Sequence, residues 1–209
     1  MPKVCIINGG LAYAHMFEDK GWEVVHDIES ANLIQFCGGS DVNPEYYGEL
    51  KHPQSWVDKL RDLEELALFG KCKNLGKRMA GICRGGQFLH VMNGGSMWQH
   101  VDHHAIQGTH DALDVETGII LPVTSTHHQM MREGDTGITV LVGHEVEQGL
   151  KQHMIANGDI EAQLCDVDLE AVYHEEGKCF CFQPHPEFIY AEQCRNYYFN
   201  KLNEFFGLE

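Results

Sequence analysis

What the chain lacks narrows the field first. No apolar stretch approaches the ~20 residues that a membrane span needs, and the opening MPKVCIING runs straight into a strand pattern without a cleavable leader. A cytoplasmic protein with no membrane partner is expected. Positive charge is scarce: 15 Lys and Arg stand against 31 Asp and Glu, for a formal net charge of -16. Nothing denser than Lys71, Lys73, Lys77 and Arg78 opposes that field, which repels a polyphosphate backbone. Nucleic acid is therefore not an expected partner. Only six prolines occur, and no Pro/Gly/Ser-rich linker or low-complexity run divides the 209 residues. One domain, residues 1–209, with a single buried core is the simplest expectation. The eight cysteines include no C-x-x-C pair. Several of them (Cys5, Cys37, Cys179, Cys181) lie inside apolar runs and read as small buried hydrophobes in a reducing compartment.

What is present reads as alternating strands and helices. Residues 4–7, 22–25 and 33–37 are short apolar runs of buried-strand type, with helical character over 11–20 between the first two. Residues 56–72 carry Leu60, Leu63, Ala67 and Leu68 at helical spacing, which predicts an amphipathic helix laying that face on a sheet. Residues 78–83 form a strand followed at once by Gly85-Gly86 and a helix through Met92. Beyond Ser96 the β-like runs dominate (112–115, 119–123, 138–142, 171–173, 179–182), and a last helix covers about 190–206. The fold class is α/β: a three-layer arrangement with a mainly parallel central sheet, helices on both faces and added antiparallel strands.

Chemistry concentrates at Gly81-Ile82-Cys83-Arg84-Gly85, a G-x-C-x-G nucleophile elbow in which a sharp strand-to-helix turn lifts the cysteine above the sheet. The turn sets the sulfur at a helix N-terminus, where backbone N–H groups favour negative charge, and aims the N–H of Arg84 at a developing oxyanion. With 22 Gly and 8 Cys, such a pattern arises by chance in roughly a tenth of shuffled chains, so its surroundings must carry the assignment. A thiolate needs a base, and the base needs a group to orient it. His-x-Glu in extended conformation supplies both on one side of a strand. Two such triplets exist, His174/Glu176 and His185/Glu187. The first sits in the polar turn YHEEGK; the second follows the apolar run 179–182 between Pro184 and Pro186, which end the strand and leave His185 at its tip. That edge is where ligands bind in α/β sheets, so Cys83, His185 and Glu187 are the expected nucleophile, base and orienting carboxylate.

GICRGGQFLHVMNGGSMWQ at 81–99 together with QPHPEF at 183–188 resembles the nucleophile and His-x-Glu segments of class I glutamine amidotransferases. CGGSDVNPEYYGE at 37–49 and TSTHHQ at 124–129 resemble the branch that includes gamma-glutamyl hydrolases and gamma-glutamyl-aminobutyrate hydrolases. The four blocks fall in the family's order and span nearly the whole chain. The resemblance implies a flavodoxin-like sheet and hydrolysis of a γ-glutamyl amide through a glutamyl thioester. It also implies that the Gly38-Gly39 turn gives a second oxyanion donor, the N–H of Gly39, and that Gln87, Ser125, His127 and His128 lie along the glutamyl pocket. Two departures stand out: Gly86 where the branch commonly has methionine or a larger residue, and His100 where many relatives have an acidic one.

Substrate and partner stay open at this level. The amide is either glutamine, with ammonia passed to a synthetase partner chain, or a γ-glutamyl amine or peptide cleaved without one. A binding or regulatory module with vestigial catalytic residues is the reading from another class; the intact triad argues against it. No cofactor is expected. His100, His103, His104 and His110, with Asp102 and Asp111, contain enough ligands for a metal, but their spacing matches no helical or knuckle arrangement, so no metal is expected either.

Overall fold

The computed structural model describes residues 1–134, 136–147, 149–164 and 167–208. Its first half alternates: β1 (Lys3–Ile7), α1 (Leu11–Glu18), β2 (Glu23–Val25), β3 (Leu33–Phe36), α2 (Lys59–Asn74), β4 (Arg78–Ile82) and α3 (Arg84–Met92). The second half is mostly strands: β5 (Met97–Trp98), β6 (His100–Val101), β7 (Ala105–Asp114), β8 (Ile120–Thr126), β9 (Met130–Met131), β10 (Ile138–Gly143), β11 (Leu150–Met154), β12 (Ile160–Leu164), β13 (Leu169–His174) and β14 (Cys179–Phe182). Helix α4 (Glu192–Phe206) closes the series.

The main sheet runs β2-β1-β3-β4-β14-β13-β10-β7-β8, with the β5–β9 pair attached beside β13; β12-β11-β6 make a separate small sheet. The first five strands are parallel. From β14 onward every neighbour is antiparallel. This is the expected α/β class, with an antiparallel part nearly as wide as the parallel one. The polar turn at YHEEGK is the hairpin joining β13 to β14.

The period of two sorts the parallel strands into two cores. Val4, Leu33, Ala80 and Phe180 face α1 and α4, meeting Phe17, Tyr198 and Leu202. Their neighbours Cys5, Ile34, Met79 and Cys179 face α2 and α3, meeting Phe69, Cys72 and Phe88. Each helix pair thus covers one face of a sheet that is apolar on both sides.

Helix α2 corrects the expected face. Leu60 and Leu63 are exposed at 68% and 59%, whereas Asp62, Glu65, Phe69 and Cys72 are buried. The spacing of the leucines is helical, but the carboxylates three residues apart are drawn inward by a buried arginine described below. The helix begins at Lys59 because the Asp58 carboxylate accepts hydrogen bonds from the N–H groups of Leu60 and Arg61, capping its first turn.

Candidate active site

Three adjacent parallel strands end at one edge, and each delivers part of the site. β3 ends at Phe36 and leads to Cys37-Gly38-Gly39; β4 ends at Ile82 and leads to Cys83; β14 ends at Phe182 and leads to His185. Phe182 is in register with Ile82, and the Cys83 N–H donates to the Phe182 carbonyl at 2.8 Å. Cys83 has φ 52° and ψ -117°, a conformation that L residues rarely hold unless the surroundings impose it. Helix α3 starts at the next residue, so the cysteine sits on the tight strand-to-helix turn that its sequence predicts.

His185 Nδ1 lies 2.6 Å from Glu187 Oε1, and the same ring hydrogen-bonds Cys83. Phe188 stacks on the imidazole with ring centroids 4.8 Å apart, and the His185 N–H donates to the Thr124 hydroxyl at 2.6 Å. Burial by itself would lower the His185 pKa. The hydrogen bonds to Cys83 and Glu187 outweigh it and raise the ring to about 10. His174, the rival base, is four residues back along the ladder: it pairs with Cys179, which is in register with Met79 at the far end of β4 from Cys83. Its Nε2 instead meets His90 Nδ1 at 3.1 Å. The structure therefore brings together Cys83, His185 and Glu187 and leaves His174 elsewhere.

Cysteine environments separate Cys83 from the rest. Among the described residues it alone of the cysteines is partly exposed; Cys5, Cys37, Cys72, Cys179, Cys181 and Cys194 are buried. Burial pushes the thiols of Cys72, Cys179 and Cys194 up to about 11, 12 and 12. Cys165 lies outside the described residues.

Gly38 needs its missing side chain. A Cβ there would come within 3.1 Å of His185 Cε1 and of the Tyr13 hydroxyl, and 3.7 Å from Cys83 Cβ. Gly86 is similar: a Cβ would lie 2.8 Å from the Phe182 nitrogen, so in this chain the glycine lets α3 ride close on β14.

Several residues of the site were not legible beforehand. Arg84 is 1% exposed, and its guanidinium pairs with Asp62 and Glu65 of α2. Burial lowers its pKa to about 10. Arg61 pairs with the same Glu65 at 2.8 Å and donates to the carbonyls of Gly38 and Cys37 at 3.0 and 2.9 Å. One carboxylate therefore ties the elbow residue Arg84 to the strap on the Gly38-Gly39 turn. Tyr13 accepts the Gly38 N–H at 3.1 Å and its hydroxyl also meets Glu187. The signal that could have found the network is an arginine directly behind the nucleophile, in a buried helix, which requires acids at i, i+3 spacing elsewhere.

A cleft of about 190 Å³ opens at this edge, lined by Gly39, Cys83, Gln87, His127, His128 and Trp56 among others. Gln87 reaches it from α3, its amide donating to Gln183 Oε1 at 3.0 Å and to the Gln129 carbonyl at 3.2 Å. His128 Nε2 meets Asp41 Oδ1 at 3.1 Å, and that contact raises the ring's pKa above its ordinary value. Of the remaining expected pocket residues, Ser125 is fully buried and gives its hydroxyl to the His104 carbonyl at 2.5 Å. His127 borders the cleft, but its Nε2 faces Glu170, 3.9 Å away.

The chain matches the Peptidase C26 family over residues 5–187 and belongs to it. It is 27% identical over 188 residues to a glutamine amidotransferase-like protein, YvdE, of Lactococcus lactis subsp. lactis, covering 81% of this chain and 71% of that protein. It is 31% identical over 130 residues to the protein NtpR of Enterococcus hirae, covering 51% of this chain and 53% of NtpR. This second match thus spans only about half of the relative's length. Among solved structures, the fold resembles PurLQS from Thermotoga maritima (TM-score 0.62, 19% identity, 97% of this chain and 98% of that chain). It also resembles a glutamine amidotransferase from the same organism (TM-score 0.61, 16% identity, 97% and 84%). The fold is that of class I glutamine amidotransferases.

Proposed function

We propose that this chain hydrolyses a γ-glutamyl amide bond with Cys83 as nucleophile. The observation that carries the reading is the pairing of a cysteine held at φ 52° on an elbow with an imidazole that also holds a carboxylate at 2.6 Å. The thiolate attacks the γ-carbonyl carbon, and the carbonyl electrons form an oxyanion facing the N–H groups of Gly39 and Arg84. His185, whose raised pKa of about 10 keeps its proton at neutral pH, gives that proton to the amine nitrogen as the C–N bond breaks. A glutamyl thioester remains. Water then loses a proton to His185 and attacks the thioester, expelling the thiolate and releasing glutamate.

The cleft of about 190 Å³ is below the roughly 300–1,000 Å³ of drug-sized ligand pockets, which supports one glutamyl group held by Gln87 and His128 with the amine side open to solvent. In this reading residues 1–209 act as one cytoplasmic domain, on glutamine with a synthetase partner or on a γ-glutamyl amine alone. Among the described residues no helix is long and apolar enough to cross a membrane. The test is an assay of the purified protein on glutamine and on a panel of γ-glutamyl amines, with product ratios compared. Release of glutamate from one of them, lost in Cys83→Ala, is the expected result. Absence of turnover on all of them, together with no labelling of Cys83 by a glutamine-like diazo-ketone, would leave only the vestigial module.

A further inference from the structure

Behind the cleft that His127 shares with Cys83, on the antiparallel half of the sheet, three imidazoles and a carboxylate converge. His104 precedes β7, His110 lies in β7, His127 follows β8 and Glu170 lies in β13. Of the residues that sequence spacing offered as ligands, only His104 and His110 arrive here; His100 turns to Asp102 at 3.5 Å and His103 to Glu147 at 3.8 Å.

Each of the three rings faces a backbone carbonyl with its Nδ1: His104 on Asp102 at 3.0 Å, His110 on Asp111 at 2.9 Å, His127 on Gln129 at 2.8 Å. A carbonyl only accepts, so each Nδ1 carries a proton and Nε2 is the ring nitrogen left to face the others. Those three Nε2 atoms and both Glu170 oxygens are buried without a hydrogen-bond partner. His110 Nε2 stands 3.2 Å from Glu170 Oε1, and His127 Nε2 stands 3.9 Å from it. The ligand atoms of His104, His110 and Glu170 all lie within 4.8 Å of one another. Tetrahedral bonds of ~2.0–2.1 Å place ligand atoms about 3.3 Å apart, so small side-chain shifts close this set around an ion. A carbonyl behind each ring is the usual support of a metal-bound histidine.

We infer that His104, His110, His127 and Glu170 bind a zinc-class divalent cation in a closed site. Imidazole and carboxylate together suit Zn²⁺, and four protein ligands leave no open position for chemistry, so the ion is structural. It ties the start of β7 and the end of β8 to β13. The same end of β8 carries Thr124, whose hydroxyl holds the His185 backbone.

The test uses the full chain as Cys83→Ser, so that a thiolate at the triad cannot take up the metal. After EDTA treatment and desalting, titration with Zn²⁺ should show one tight equivalent and raise the melting temperature by several degrees. Co²⁺ in its place should give the visible bands of a tetrahedral site without thiolate charge transfer. His110→Ala and Glu170→Gln should each weaken Zn²⁺ binding by more than the roughly 10–100-fold that outer-shell changes cost; His100→Ala and His103→Ala should leave it unchanged. No stoichiometric Zn²⁺ on the Cys83→Ser chain overturns the site and leaves a proton shared between His110 and Glu170. Binding that survives both ligand variants, or that fails equally in the two controls, overturns the ligand set. Should either ligand variant not fold, the Co²⁺ spectrum decides: bands of a six-coordinate or thiolate site overturn the inference.

Discussion

Two histidine–carboxylate arrangements sit on opposite halves of one sheet, and they are built differently. His185 and Glu187 come from a single tripeptide at a strand tip, with the partner Cys83 on the next parallel strand. His104, His110, His127 and Glu170 come from four separate segments of antiparallel structure. The first arrangement is set by local geometry: β14 ends just before Pro184, and a turn over Pro186 and Glu187, rather than the extended conformation that the sequence predicts, brings the carboxylate back onto His185. The second depends on the order β13-β10-β7-β8, which no local pattern encodes. The first also keeps its cysteine partly exposed, whereas Glu170 is wholly buried. On the two readings proposed above, the first arrangement meets a substrate and the second holds parts of the fold in place.

The strongest way to break that contrast is through turnover. Cys83→Ala should remove it by about 10⁴-fold or more, with an unchanged circular dichroism spectrum, because the sulfur is chemistry and not core. His185→Asn should cut turnover by about 10²- to 10⁴-fold. Glu187→Gln should do less, since it leaves the base and removes only its orientation and charge support. His174→Asn should leave it alone. A reversed order, with His174→Asn damaging and His185→Asn tolerated, sinks the triad.

A second test moves from chemistry to support. Arg84→Met leaves Asp62 and Glu65 buried beside an apolar side chain, and Glu65 keeps Arg61 and the Asn8 amide. Removing one member of such a buried set costs about 3–5 kcal/mol, which urea denaturation at pH 7 would read directly. An unchanged midpoint would mean that the network is solvated and cannot fix the elbow. Gly38→Ala should have a smaller effect: the added Cβ pushes on His185 and Tyr13, so kcat should fall about tenfold with the fold's stability little altered.

The same contrast explains what could be read in advance. The elbow, the His-x-Glu strand tip and the alternation of the first half were legible because each is a short-range pattern with one packing solution. The face of α2 was misread: Leu60 and Leu63 have the right spacing, yet Asp62 and Glu65 are the ones buried, because Arg84 emerges beneath them from the first turn of α3. The histidines between His100 and His110 are likewise sorted by the sheet and not by their spacing. Their grouping along the chain suggested one set of ligands, and the sheet separates His100 and His103 from His104 and His110.

The smallest expected effect concerns a third pair that has no carboxylate at all. His90 and His174 share one hydrogen bond, Nδ1 to Nε2 at 3.1 Å, so only one proton fits between them. Burial lowers both rings to about 4, and for His90 the neighbouring His174 adds to the shift. The sign follows from linkage: with folded values below the ordinary 6.5, the unfolded chain takes up protons first as pH falls. The pair's contribution is therefore present above about pH 6.5 and lost as pH falls through about 4. His174→Gln keeps a hydrogen-bonding partner for His90 and removes one of the two groups that charge on unfolding. Its acid-unfolding midpoint should move down by roughly half a pH unit, while turnover at neutral pH stays at the level of the unaltered protein. An acid midpoint that does not move would assign the acid limb to other groups; a fall in turnover would mean that the far end of β4 and β14 is coupled to Cys83 after all.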